Sequence, residues 1–263
     1  MGTVGRMHRG YVENQNSKIG HLIVFSWPSA GNFGQYGYDR KVARSSAQTL
    51  VDFVEHLHKY VNEKFAGSEN EDLEKTEERR QEFLHRFNIM AVSMGNYVLE
   101  EFVLQWAASH GLKQTFNEVI HMAADVGADA YAPENALSGM LNVARRVHVY
   151  VNRSDVLLKA SSQIHRGGRL GGHWGHNPRQ ESSNRQSQEL AERLVYVDAT
   201  DVAVAAMKKR KMIFSQEELQ YNTLHNYMLR VNAVVEDANF VLNHHECAGI
   251  ARRAGHGLGY RLI

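Results

Sequence analysis

A three-layer α/β fold, with a mostly parallel sheet and helices on both faces, is predicted by three features of this 263-residue sequence. Short, continuous apolar runs of strand length recur along the chain. Helix-length stretches with apolar residues spaced three and four apart separate them, as successive βαβ units require. The composition, 43% hydrophobic and 22% charged, is that of a globular domain with a core to bury.

Residues 1–19 are polar and rich in Gly and Asn, without periodicity, and read as an irregular segment. The first strand is expected at residues 21–27 (His-Leu-Ile-Val-Phe-Ser-Trp), stopped by Pro28-Ser29-Ala30-Gly31. Leu50, Val54, Leu57 and Val61 then predict a helix over residues 44–64, and the highly charged residues 66–80 read as solvated surface. A strand at 87–92 leads into a helix with Leu99, Phe102, Val103 and Trp106 on its buried face. Further strands are expected at 118–123, 147–151 and 194–197, and helices near 134–144, from Asp155 to about Ile164, and over 226–245. Residues 166–188, rich in Gly, Arg, Ser, Asn and Gln, read as a mobile connection. Because they follow the helix after Asp155, they are expected at the sheet edge opposite the strand C-termini. The domain is therefore expected over residues 20–246, with 247–263 as a C-terminal tail.

Lys and Arg number 30 and Asp and Glu 29, a balance that argues against a polyanion binder driven by bulk charge. No apolar run approaches the roughly 20 residues of a membrane helix. The single cysteine, Cys247, rules out an internal disulfide framework. With no apolar signal core in the first residues, a cytoplasmic protein is expected.

Ser93 lies between a buried strand and a helix within Ala91-Val92-Ser93-Met94-Gly95. This is the G-x-S-x-G nucleophile elbow with alanine, still small, at its first position. A turn that sharp tolerates only small flanking residues, strains the serine backbone and raises the hydroxyl above the sheet. It also aims the Met94 N–H at an oxyanion. The competing reading is a serine that caps the following helix. A nucleophilic serine needs a base, and the base an orienting acid. In a parallel sheet these must follow strand C-termini. Asp155 and Asp125 both do, and His225 precedes the last helix, so Ser93, Asp155 and His225 fall in the chain order of α/β-hydrolases. Asp125 is the alternative acid, or else a turn cap.

Phe25-Ser26-Trp27-Pro28-Ser29-Ala30-Gly31, Tyr38-Asp39-Arg40 with Ala43 and Ser46-Ala47, Ser93-Met94-Gly95-Asn96, Asp125 with Asp129, and residues 149–155 together resemble an α/β-hydrolase family of unknown function found mainly in bacteria. The resemblance covers about residues 20–227. It implies an α/β-hydrolase fold and a serine hydrolase with Ser93 as nucleophile, Asp155 as acid and His225 as base. It departs from the family where Ala91-Val92 replaces the usual Gly-His. It departs again where an apolar strand ending in His-Gly-Tyr/Phe-Asn would supply the second oxyanion N–H; only His8-Arg9-Gly10-Tyr11 echoes that run. Either the first two strands close up directly, or the chain is N-terminally shortened. Trp27 and Ser29 are the residues expected to line the pocket or replace the absent donor.

Fifteen histidines invite a metal hypothesis. Of His165, His173 and His176 the spacing permits only the pair His173/His176, and the adjacent His244 and His245, before Glu246, point to different faces of a helix. Zinc needs three or four converging ligands, so no metal or other cofactor is expected. His121 and His148 read as satisfied core histidines. The basic run Lys208-Lys209-Arg210-Lys211, without aromatic interleaving, reads as solvated surface rather than a nucleic-acid site. Two functions fit the whole: hydrolysis of a small-molecule ester or related acyl substrate, or a catalytically impaired scaffold that binds a partner.

Overall fold

In the computed structural model, which describes residues 2–15, 17–64, 73–84, 86–173, 175, 188–189, 192–210, 220–244, 253–256 and 259–263, the strands form one sheet. Strands β1 (Ile89–Val92), β2 (Phe116–Met122), β3 (Ala144–Val151) and β4 (Leu194–Asp198) lie side by side in sequence order, all parallel. Strand β6 (Gly259–Leu262) pairs parallel with β4, and β5 (Arg253–His256) closes the outer edge antiparallel to β6. The sheet order is β1-β2-β3-β4-β6-β5, a mostly parallel sheet.

Apolar residues on consecutive strand positions explain why helices cover both faces, since each face must be kept from water. Val119, Val147, Val149 and Tyr196 join a core with Val51, Val54, Leu99, Phe102 and Trp106. These come from α3 (Ala47–Lys64) and α5 (Gly95–His110), beside α2 (Tyr36–Ser45). Their sheet neighbours Ile120, Tyr150, Val195 and Val197 face the opposite layer, with Tyr11, Ala203, Tyr227, Val234 and Val241. The charged helix α4 (Leu73–Leu84) precedes β1; α6 (Met140–Val143) leads into β3 and α7 (Val156–His165) leaves it. Helices α8 (Thr200–Arg210), α9 (Tyr227–Arg230) and α10 (Asn232–His244) complete the second layer. The register pairs Val92 with Met122, Met122 with Tyr150 and Tyr150 with Val197, so the four parallel strands end in line.

Several expectations give way. Residues 21–27 form no strand. An apolar run becomes a strand only where a neighbour completes its ladder. Here Phe25 and Trp27 rest on the core of the α5 layer, while Ile23 and Val24 are 66% and 48% exposed. The two N-terminal strands therefore do not close up, and no described strand lies on the outer side of β1. Residues 1–19 are less irregular than expected. They contain α1 (Thr3–Met7) and a wide helical turn (His8–Val12) that buries Tyr11, whose hydroxyl donates to Met228 O at 3.1 Å.

Residues 253–256 and 259–262, within the segment read as a C-terminal tail, form β5 and β6 of the sheet. Gly259 permits this: a Cβ there would come within 2.2 Å of Tyr196 O on β4. The helix expected over 226–245 is broken at Val231, and α8 was hidden by the basic run at its end, of which Lys211 lies outside the described residues. Cys247, His176, His245 and Glu246 also lie outside them. The described part of 166–188 sits on the same sheet edge as the strand C-termini, not the opposite one. Arg166, at φ +52°, ends α7 and turns the chain back. Leu170 N then donates to Val126 O and Gly171 N to Ala124 O, both at 2.9 Å, and Asn152 N to Gly171 O at 2.8 Å.

Candidate active site

Ser93 follows the last residue of β1 with φ at +51°, a left-handed conformation that a residue bearing a Cβ adopts only under constraint. Backbone bonds impose it. Ser93 N donates to Met122 O at 2.9 Å, and Ser93 O accepts from Asp125 N at 3.3 Å, so the serine is stitched to the end of β2. The side chain of Asn96, in the first turn of α5, reaches back to Ser93 O at 2.8 Å and Ala91 O at 3.4 Å.

Asn96 is held in turn. Its amide nitrogen donates to Ser93, so its oxygen accepts, and the partner at 2.5 Å is His121 Nδ1. That makes Nδ1 the protonated nitrogen of His121, with Nε2 accepting from the Tyr131 hydroxyl at 2.6 Å. Burial pushes the His121 pKa down to about 3, with the neighbouring His148 adding to the effect, which keeps the ring neutral as this arrangement demands.

Asp155 follows β3 and is almost wholly buried. One carboxylate oxygen caps α7, accepting from Leu157 N at 2.9 Å and Leu158 N at 3.2 Å. The other lies 2.8 Å from His225 Nδ1, and His225 Nε2 lies 3.0 Å from Ser93 Oγ. With Nδ1–H donating to the carboxylate, Nε2 presents its lone pair to the serine hydroxyl. His225 ends a wide helical turn (Gln220–His225), and Asn152 ties this turn to the Asp155 loop. Asn152 Nδ2 donates to Leu224 O at 2.6 Å, while Asp155 N donates to Asn152 O at 3.1 Å.

The remaining expected residues divide. Met94 immediately precedes α5, where the first amides have no intrahelical acceptor. Trp27 sets the edge of its indole beside Gly95, and its buried Nε1–H has no acceptor among the described residues. Ser29 is engaged elsewhere: its hydroxyl donates to Asp39 Oδ2 at 2.8 Å. Ala30 N and Gly31 N donate to the same carboxylate, at 2.7 and 3.1 Å. These bonds, that of Ala30 foremost, hold the Asp39 carboxyl below its ordinary value. Asp125 does not reach His225 in hydrogen-bonding terms. Its carboxylate accepts from the Tyr36 hydroxyl and from Ser161 Oγ at 2.5 Å.

Sequence reasoning missed Asn96 and Asn152 as positioning residues and Tyr131 and Tyr227 altogether. The Tyr227 hydroxyl bridges two strand ends, accepting from Ala123 N at 2.8 Å and donating to Tyr150 O at 2.9 Å. Only Asn96 left a signal, its position three residues after the serine in the first turn of the helix. His121 and His148 are buried and hydrogen-bonded, as expected for core histidines; His148 Nε2 lies 2.9 Å from Glu118 Oε2. Among the described residues no group of three His, Cys, Asp or Glu side chains is arranged to hold a metal ion. Nor is any helix among them long and apolar enough to cross a membrane.

A mostly parallel sheet between two helical layers, with a strained serine at the strand-to-helix turn, defines an α/β-hydrolase scaffold. The chain belongs to the family described as alpha/beta hydrolase of unknown function (DUF900), whose model matches residues 7–66 and 69–226. No curated protein and no solved structure matches it.

Proposed function

We propose that the protein is a serine hydrolase that transfers the acyl group of a small-molecule ester, or a related acyl substrate, to water. The observation that carries this reading is the series from Ser93 Oγ to His225 Nε2 at 3.0 Å and from His225 Nδ1 to Asp155 Oδ2 at 2.8 Å. In this scheme Ser93 Oγ attacks the acyl carbon as His225 Nε2 takes its proton. Asp155 fixes the imidazole tautomer and stabilises the imidazolium. The Met94 N–H, aided by the N-terminus of α5, receives the oxyanion. Collapse of the tetrahedral species releases the leaving group with the proton from His225. Water, activated by the same imidazole, then frees the acid from Ser93. The scheme needs no cofactor. A reducing, cytoplasmic setting suits a chain with a single cysteine, Cys247.

One observation favours the alternative of a catalytically impaired scaffold that binds a partner. Ser29, expected as a replacement oxyanion donor, is committed to Asp39. A site left with one donor forfeits about 10²–10³-fold in rate. A fluorophosphonate probe separates the two readings. Labelling of the protein, abolished by Ser93→Ala, supports the hydrolase. No labelling, or labelling unchanged in Ser93→Ala, overturns it in favour of the scaffold.

A further inference from the structure

We propose that Arg169 and Arg40 form a binding subsite for an oxyanion group, a carboxylate or phosphate, on the sheet edge that carries Ser93. Its use as a substrate subsite rests on the hydrolase reading; its capacity to bind an anion does not.

The argument begins with an electrostatic imbalance. Arg169 is only 6% exposed, yet it makes no ion pair with any described residue. Among the described residues its Nε–H has no acceptor, and its side chain has a single hydrogen bond, a long one from Nη1 to the Tyr97 hydroxyl at 3.5 Å. Arg40, half-buried on α2, is in the same position. Its Nη1 donates to His165 Nδ1 at 3.2 Å and its guanidinium lies 5.7 Å from the centre of the Tyr97 ring, again without a carboxylate among the described residues. Other arginines of this fold are treated differently. Arg44 pairs with Glu100, Arg145 with Glu118, Arg153 with Asp198 and Arg253 with Asp237. A buried guanidinium is normally retained only with an anion to share its charge. Two that lack one, converging on the same histidine and tyrosine, are arranged for an anion from outside.

The local groups leave that charge uncompensated. Burial, then Arg169 and Arg40, hold the His165 imidazole below its ordinary value, so it remains a neutral acceptor for Arg40. Asp125 is the acid beside the cluster. Its carboxylate is already occupied by Tyr36 and Ser161, and it makes no ion pair with either guanidinium. Glu100 and Glu101, the acids on α5, pair with Arg44, so among the described residues neither Arg169 nor Arg40 has a carboxylate of its own. The planar guanidinium fork suits the geometry of a carboxylate or phosphate.

The fold sets this cluster close to the serine. Asp125 N donates to Ser93 O, the Asp125 carboxylate holds Tyr36, and the Tyr36 ring lies 5.4 Å from that of His165. Tyr97 is one helical turn beyond Ser93 on α5. Arg169 itself forms an antiparallel bridge with Gly127, two residues past Asp125.

The test uses the full chain and two readouts. Calorimetric titration with inorganic phosphate and, separately, with succinate is expected to show saturable binding of at least one, with Kd of about 1 mM or below. The tighter of the two identifies the anion. Arg169→Gln and Arg40→Gln are each expected to weaken it by about tenfold or more. Arg40, being nearer the surface, decides the matter should Arg169→Gln fail to fold. In the second readout, kcat/KM for the para-nitrophenyl hemiester of succinate is expected to exceed that for para-nitrophenyl butyrate, and Arg40→Gln to lower this ratio by about tenfold. Anion binding without hydrolysis of either ester supports the subsite and refutes the hydrolase. Hydrolysis of the butyrate ester with neither anion titrating overturns the subsite and leaves the hydrolase standing. Binding that both variants leave unchanged places the anion elsewhere and also overturns the subsite.

Discussion

The Asn96 side chain donates to the carbonyl of Ser93 at 2.8 Å while accepting from His121 at 2.5 Å, so the strained serine is braced from a buried strand through its own helix. The relay is directional. Tyr131 O–H, His121 Nδ1–H and the Asn96 amide each donate toward Ser93, and reversing one donor breaks the next bond.

Replacing Asn96 with Ala is therefore expected to destabilise the fold by about 2–3 kcal/mol, since His121 Nδ1–H loses its acceptor and the carbonyls of Ala91 and Ser93 each lose a donor in a buried site. Urea unfolding of the two proteins measures the difference. A loss below about 0.5 kcal/mol would show that water or local rearrangement satisfies these groups equally well.

Acid should expose the His121 contribution. Its folded pKa of about 3 lies below the ordinary 6.5, so between these values the unfolded chain binds a proton that the native ring refuses. The unfolded state binds more protons there, and stability falls as pH drops through that window. From pH 7 to 5, the wild type is expected to lose about 2 kcal/mol more than His121→Gln. Parallel denaturant titrations at the two pH values read this difference, and equal slopes would place the His121 pKa near its ordinary value.

Two aspartates follow strands on this edge, and their amide variants should behave differently. In Asp155→Asn, an oxygen that keeps capping α7 leaves the NH₂ facing His225. This selects the tautomer with hydrogen on Nε2, which cannot accept from Ser93. On the proposed reading, kcat is expected to fall by about 10⁴-fold. Asp125→Asn retains partners for the hydroxyls of Tyr36 and Ser161, and its kcat is expected to fall by less than about tenfold. Kinetics on any turned-over ester distinguishes the pair, and the reverse ranking would make Asp125 the acid.

Gly171 is enclosed by backbone. A Cβ there would stand 2.2 Å from Ala124 N and 2.6 Å from Ala123 C, atoms just past the end of β2. Gly171→Ala is expected to cost about 3 kcal/mol or more, because no flexible side chain is there to yield. A melting temperature within a few degrees of wild type would mean that the return loop can shift away from the sheet.

Local patterns carried much of this structure in readable form. Strands β1 to β4 are built on short apolar runs, interrupted by polar residues in β2 and β3, and α5 follows a small-residue turn, so both the parallel sheet and the position of Ser93 emerge from pattern and spacing. Residues 21–27 carry the same signal as those strands and form none, because apolarity reports a wish for burial and says nothing of which neighbour will pair. The tail failed in the opposite direction. Gly259 and the arginines around it lack strand character, yet the free edge of β4 recruits them.

By itself, then, the sequence determined the fold class, the strained serine and a short list of acids and bases, because each depends on residue types a few positions apart. Only the tertiary structure decided that Asp155 rather than Asp125 lies beside His225, that Ser29 is taken by Asp39, and that the loop bearing Arg169 returns to the edge of Ser93. Those outcomes turn on hydrogen bonds between segments tens of residues apart, which local periodicity does not encode.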